Sequence, residues 1–219
     1  MNSLDGMQDL SRFQRPRFAR AYERMSAVAE QGAMAGYRHR LLAGLSGRVI
    51  EIGAGNGMNF AHYPREVTQV VAVEPEDLLR AAAVKTAAGS PVPVEVVAGH
   101  ADALPYEDGS FDAAVLSLVL CSVADQAVTL AEARRVLRPG GELRFFEHVR
   151  SRHPVVGLVQ RVVTPVWSLS AGGCHLDRDT ARAIADSGLV VEGLDRFAFR
   201  PATLAPKLPH ILGTARNPG

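Results

Sequence analysis

VIEIGAGNGMNF, residues 49–60, begins as an apolar run and passes through Glu51-Ile52 into three glycines, Gly53, Gly55 and Gly57. A strand that runs straight into closely spaced glycines turns sharply and leaves its backbone amides room against a ligand. The spacing is G-x-G-x-G. A dinucleotide fingerprint needs its third glycine at position 58, where Met58 stands. Glu51, the acid before the loop, either orients the loop or reaches the amino group of an amino-acid-like ligand through water. Taken alone, the glycines also suit an ordinary strand–helix turn.

The neighbouring runs extend the pattern. VVAVE (70–74) ends in Glu74, an acid roughly 20 residues beyond the first glycine, where a carboxylate can accept both hydroxyls of a ribose. VEVVA (94–98), AAVLSLV (113–119) and ELRFFEHV (142–149) are further strands; EDLLRAAAVKTA (76–87) and DQAVTLAEARRVL (125–137) are helices, the second stopped by Pro139-Gly140-Gly141. Asp102, just past the third strand, is either a turn-forming residue or an acceptor for an exocyclic amine. Strands alternating with helices predict a doubly wound, mostly parallel α/β sheet, with the ligand beyond the carboxyl ends of its strands.

Three zones differ in texture: a helical, Arg-rich N-terminal cap over 1–47, the α/β core over 48–150, and a mixed segment over 151–219 expected to complete the sheet and cover the ligand site. Phe18, Tyr22 and Met25 form one apolar helical face in the first zone. Arg12, Arg15, Arg17, Arg20 and Arg24 share its helix-like spacing; a solvated face, a lid over the acceptor and a nucleic-acid contact are ranked in that order. In the last zone VVGLVQRVVTPVW (155–167) is expected to pack over the pocket, with docking on a membrane surface second. Asp179-Thr180 opens a helix, and two apolar runs follow near 188–193 and 208–214.

Composition narrows the classes. The 219 residues are 47% hydrophobic, with 24 Lys+Arg against 23 Asp+Glu. Such a chain fills a core and is not built mainly to coat nucleic acid. Cys121 and Cys174, the two cysteines, are too few and too isolated for a disulfide framework or a tetrahedral zinc site, and no metal is expected. No stretch has the length and apolarity of a leader or a membrane span. The expectation is a cytoplasmic protein with no nucleic-acid partner and no transmembrane segment, though peripheral membrane contact stays open.

Read in order, EIGAGNG, VVAVEP, AGHADALPYEDGSFDAAV and ARRVLRPGGELRFFEHV resemble the class I S-adenosylmethionine-dependent methyltransferases over residues 48–150. A narrower likeness reaches almost to the C-terminus. Tyr63-Pro64, Leu120-Cys121-Ser122-Val123, Phe146-Glu147-His148-Val149, Thr164-Pro165-x-Trp167 and Gly172-Gly173-Cys174-His175-Leu176 are similar to the methyltransferase-like 7 group, which includes alkyl-thiol methyltransferases. Asn56 replaces the usual Thr of the glycine loop, and the N-terminal anchor of the animal members is not seen.

The resemblance implies a seven-stranded Rossmann-like methyltransferase sheet, S-adenosyl-L-methionine as cofactor and S-adenosyl-L-homocysteine as product. It implies that Glu51, Gly53, Ala54, Gly55, Asn56, Gly57 and Asn59 shape the cofactor site. Glu74, Pro75, Ala101, Asp102, Ala103, Ser117 and Leu118 complete it. The implied acceptor is a small, apolar molecule, a thiol first. A quinone-like, natural-product or phospholipid acceptor is the alternative, and an inactive cofactor-binding partner is the rival of another class. His148 and His175 are the candidate proton acceptors. For His148 the other reading is a histidine bonded to a backbone carbonyl; for His175, a residue of a helix-entry loop.

Overall fold

The computed structural model describes residues 9–200 and 207–219, so the reading of residues 1–8 as free of a leader lies outside it. The five apolar runs of the core are strands β1 (Gly47–Ile52), β2 (Val67–Val73), β3 (Val94–Val97), β4 (Phe111–Ser117) and β5 (Leu137–His148). They pair in parallel. The C-terminal runs are β6 (Val190–Phe199) and β7 (Leu208–Arg216), and β7 enters antiparallel to β5, with Phe146 opposite Leu212. The single seven-stranded sheet has the order β3-β2-β1-β4-β5-β7-β6.

Burial on both faces explains why the central strands are apolar without alternating with polar residues. Ile50, Ile52, Val71, Val73, Ala114 and Leu116 belong to one core. Val49, Val70, Ala72, Ala113 and Val115 belong to the other. Successive side chains of one strand point to opposite faces, so each strand feeds both cores.

Two helices precede the sheet, α1 (Pro16–Ala29) and α2 (Ala35–Leu42), separated by a break at Gly32 with φ −106° and ψ −137°. α3 (Asp77–Ala87) begins where the Glu76 carboxylate accepts from the Leu79 amide at 2.8 Å. α4 (Gln126–Val136) is capped by Asp125, which accepts from the Ala127 amide at 2.8 Å. These caps satisfy amides that a helix start leaves unpaired. α6 (Thr180–Asp186) has Asp179 in the same role.

Two expectations are corrected. Phe18 and Tyr22 of α1 do face inward, but Met25 is exposed. α5 (Pro154–Ser170) does not lay its apolar face over the pocket. Its buried side is Gly157, Gln160 and Thr164, while Val162, Val166 and Leu169 are 71%, 73% and 87% exposed. Polar bonds hold it that way round: Gln160 Oε1 accepts from the Ser151 amide at 2.7 Å and its Nε2 donates to the Val149 carbonyl at 3.1 Å. Among the described residues no helix is long and apolar enough to cross a membrane.

Candidate active-site cleft

A cleft of about 450 Å³ opens at the carboxyl ends of β1, β2 and β4, where a doubly wound sheet places its ligand. Gly53 and Gly55 of the glycine loop line it. The amides of Gly53 and Ala54 both donate to the Val73 carbonyl, at 2.8 and 3.1 Å, tying the loop to β2. Gly53, Gly55 and Gly57 have φ of +73°, +58° and +81°, values that disfavour any side chain. A Cβ at Gly53 would lie 2.7 Å from Val119, and one at Gly57 2.6 Å from the Phe60 ring. Gly55 lines the cleft, facing Tyr22 of α1.

Glu74 lines the cleft at the end of β2. Its Oε2 accepts from the Gly55 amide at 2.7 Å and its Oε1 from the Glu76 amide at 2.9 Å. Burial raises its pKa to about 7, against the opposing pull of those two bonds. A carboxylate has about four lone-pair sites, so two internal bonds leave capacity for a ligand. Glu51 behaves differently: it is 2% exposed and off the cleft wall. It accepts from Asn59 Nδ2 at 2.8 Å and from the Tyr63 hydroxyl at 2.7 Å, and burial raises its pKa to about 7. Those two bonds tie Glu51 to the segment that follows the glycine loop.

Pro75, Ala101 and Asp102 also lie on the wall. Asp102 accepts from Thr129 Oγ1 at 3.1 Å and from Arg12 Nη2 at 3.4 Å, so it is tied at once to α4 and to the N-terminal segment. At the end of β4, Leu118 adopts φ +61°, unusual for a residue with a side chain, and its amide donates to the Phe146 carbonyl at 2.7 Å. That turn leaves Ser117 and Leu118 on the cleft wall. Backbone strain of this kind is characteristic of ligand sites. The loop that follows is fixed by Glu147, which accepts from the amides of Val119, Leu120 and Cys121 at 2.9–3.1 Å.

The two candidate histidines separate. His175 lines the cleft, and burial lowers its pKa below the usual value. His148 is not on the cleft wall; its Nδ1 lies 3.4 Å from Cys174 Sγ and 3.9 Å from Cys121 Sγ. Ala54, Asn56, Gly57, Asn59 and Ala103 are likewise off the wall. Asn56 Nδ2 donates to Ser26 Oγ of α1 at 2.8 Å, so the residue in the loop's Thr position anchors the helical cap.

Sequence reasoning missed part of the enclosure. Phe13, Arg15, Phe18 and Tyr22 close one side of the cleft, and Ser122, Val123 and Arg178 another. The i, i+4 pair Phe18 and Tyr22 and the arginine spacing that includes Arg15, for which a lid was the second reading, carried the local signals; what they face depends on the tertiary fold. Arg178 donates to the Leu120 carbonyl at 2.7 Å, from far along the chain.

The wall fits an adenosyl ligand carrying an amino-acid group. Ser117 Oγ is buried with no hydrogen-bond partner among the described residues, an open bond that a polar ligand would complete. Glu74 suits ribose hydroxyls and Asp102 an exocyclic amine, while the glycine loop leaves space a side chain would fill.

Comparison with known proteins agrees with this geometry. Residues 50–145 match a family described as a methyltransferase domain. Human thiol S-methyltransferase TMT1B is 36% identical over 180 residues, an alignment covering 80% of this chain and 73% of that protein. A SAM-dependent methyltransferase of Thermotoga maritima superposes with a TM-score of 0.68 at 23% identity, over 92% of this chain and 96% of that one. Geranyl diphosphate methyltransferase, solved with SAM, gives a TM-score of 0.64 at 17% identity over 84% of each chain.

Proposed function

Since the chain belongs to the S-adenosylmethionine-dependent methyltransferase family that includes the thiol S-methyltransferases, we propose that it methylates small apolar thiols. When bound, S-adenosylmethionine supplies a methyl group already activated on a sulfonium, so the protein's task is positioning and desolvation. Gly53, Gly55, Glu74, Asp102 and Ser117 are the residues that would hold it.

The observation that carries the thiol reading is the makeup of the remaining wall. Phe18, Val119 and Val123 are apolar, and they share the cleft with Arg15, Arg178 and His175. Apolar contacts favour an apolar acceptor and exclude water. Cations nearby favour the thiolate over the thiol. Sulfur is the more polarisable nucleophile once ionised, and a cysteine-type thiol, with a pKa of ~8.5, needs only modest help to become a thiolate. His175, which lines the cleft, is the side chain proposed to take the acceptor's proton. A series of alkyl thiols of increasing chain length tests the reading, beside a phenol and a primary amine. S-methyl product whose kcat/KM rises with chain length supports it; turnover of the phenol or amine with no S-methyl product overturns it.

A peripheral lipid contact is part of the proposal. α5 contains no acidic residue, has Arg161 as its one charge and turns Val155, Leu158, Val162 and Val166 to solvent. Arg150, Arg152, Arg161 and Arg196 surround a groove at its N-terminal end, with Asp179, which pairs with Arg150 at 3.7 Å, as its one acid. An apolar helical face beside a basic rim matches the outer surface of an anionic bilayer. Apolar acceptors concentrate in such a bilayer.

A further inference from the structure

The two cysteines that look isolated in sequence meet in space. Cys121 follows β4, His148 ends β5 and Cys174 follows α5, yet the two Sγ atoms and one imidazole nitrogen all lie within 4.8 Å of one another. We propose that Cys121, Cys174 and His148 form a site for one thiophilic divalent cation, Zn²⁺ being the best match.

The geometry carries the assignment. Zinc binds thiolate sulfur at about 2.3 Å and imidazole nitrogen at about 2.0–2.1 Å in a tetrahedron, which sets sulfur–nitrogen edges near ~3.5 Å. The two sulfur–nitrogen separations here are 3.4 and 3.9 Å. The two sulfurs lie within 4.8 Å of one another, so side-chain rotation has to draw them together to complete the set. Two thiolates and a neutral imidazole are also the chemistry that selects zinc over magnesium or calcium.

The surroundings suit that charge state. Both cysteines are buried, at 1% and 5% exposure, in a cluster with Leu176, Leu208 and Trp167. Buried thiolates without a counter-ion are costly there. Two thiolates with one divalent cation are neutral overall. Binding proceeds as the cation enters, two sulfur–metal bonds and one nitrogen–metal bond form, and both S–H protons leave to solvent. Half-buried His148 marks the side from which the cluster is reached. The backbone is already fixed: the Cys121 amide donates to Glu147 at 3.1 Å, the His175 amide to the Cys121 carbonyl at 2.7 Å, and the Cys174 amide to the Ala171 carbonyl at 3.0 Å. Ligands held by their own backbone bonds keep metal geometry without rearrangement. Trp167 adds an independent sign. Its indole Nε1 is buried in the same cluster, with Cys174 as its hydrogen-bonding neighbour among the described residues. A metal-bound thiolate is an acceptor that a neutral thiol barely provides.

The test uses the full chain, reduced and stripped with chelator, titrated with Co²⁺ and then Zn²⁺. One equivalent of Co²⁺ should produce the near-ultraviolet sulfur-to-cobalt absorption, and Zn²⁺ should displace it. Cys121→Ser and Cys174→Ser should each weaken binding by about a hundredfold or more. Their S-adenosylhomocysteine affinity, measured in parallel, reports whether they fold. No sulfur-to-cobalt absorption in the reduced wild type overturns the proposal, as does absorption retained in folded forms of both variants. Because the readout is metal binding, it stands apart from whether thiols are the acceptor.

Discussion

Glu74 offers the sharpest test of where the nucleotide lies. Its carboxylate already takes the Gly55 and Glu76 amides at 2.7 and 2.9 Å, and it lines the cleft, where it is proposed to accept the ribose hydroxyls. Glu74→Ala removes those acceptors together. A hydrogen bond to a charged group contributes about 1.5–3 kcal/mol, so affinity for S-adenosylhomocysteine should fall by about ten- to 150-fold. The pH profile adds a second handle. Burial raises the Glu74 pKa to about 7, and hydroxyl donors favour its ionised form, so binding lowers that pKa and releases protons. Affinity should therefore rise as pH increases toward 7 and level off above it, with a slope of at most about tenfold per pH unit on the acid side. Glu74→Gln, which cannot ionise, should flatten the profile. Isothermal titration calorimetry in two buffers of different ionisation enthalpy reads both the affinity and the proton release. A folded Glu74→Ala protein that binds S-adenosylhomocysteine as the wild type does refutes the placement, and so does an affinity that rises toward acid pH.

Gly55→Val should abolish cofactor binding while NAD shows no comparable affinity for the wild type, because a β-branched residue at φ +58° is strained and its side chain enters the cleft toward Tyr22; a folded variant that binds normally in calorimetry would contradict this. His175→Ala should lower kcat by about 10²–10⁴ with little change in S-adenosylhomocysteine affinity, and near-wild-type steady-state turnover would remove the residue from the proton path. Val162→Glu and Val166→Glu, at positions 71% and 73% exposed, should reduce co-sedimentation with anionic vesicles while leaving turnover of a water-soluble thiol unchanged; wild-type protein that ignores such vesicles would end the lipid reading.

The glycine-loop side of the cleft was legible because it is local. A strand, three glycines and an acid at the next strand's end keep their geometry wherever the chain folds, so Gly53, Gly55 and Glu74 could be read from spacing. Ser117 and Leu118 were accessible only by resemblance, since no local pattern announces a left-handed Leu118. The enclosing wall was not legible. Arg15, Phe18 and Arg178 reach the cleft through tertiary packing, and nothing in their spacing specifies a common target. Cys121 and Cys174 flank His148 at separations of 27 and 26 residues, distances that no metal-ligand motif encodes; the order of strands and the loop after α5 bring them together. The reversal of α5 has a simple cause. Periodicity reveals an apolar stripe but not which way it faces, and the bonds of Gln160 decided that in favour of the polar side.

The central claim, that this cleft transfers a methyl group to sulfur, is tested most directly by following the methyl itself. Purified protein is incubated with S-adenosylmethionine bearing a deuterated methyl group and one alkyl thiol, and mass spectrometry quantifies the deuteriomethyl thioether and S-adenosylhomocysteine. The account predicts both products in equal amounts with the wild type and neither with Gly55→Val. S-adenosylhomocysteine formed without the thioether, or no product above the Gly55→Val background, would contradict it.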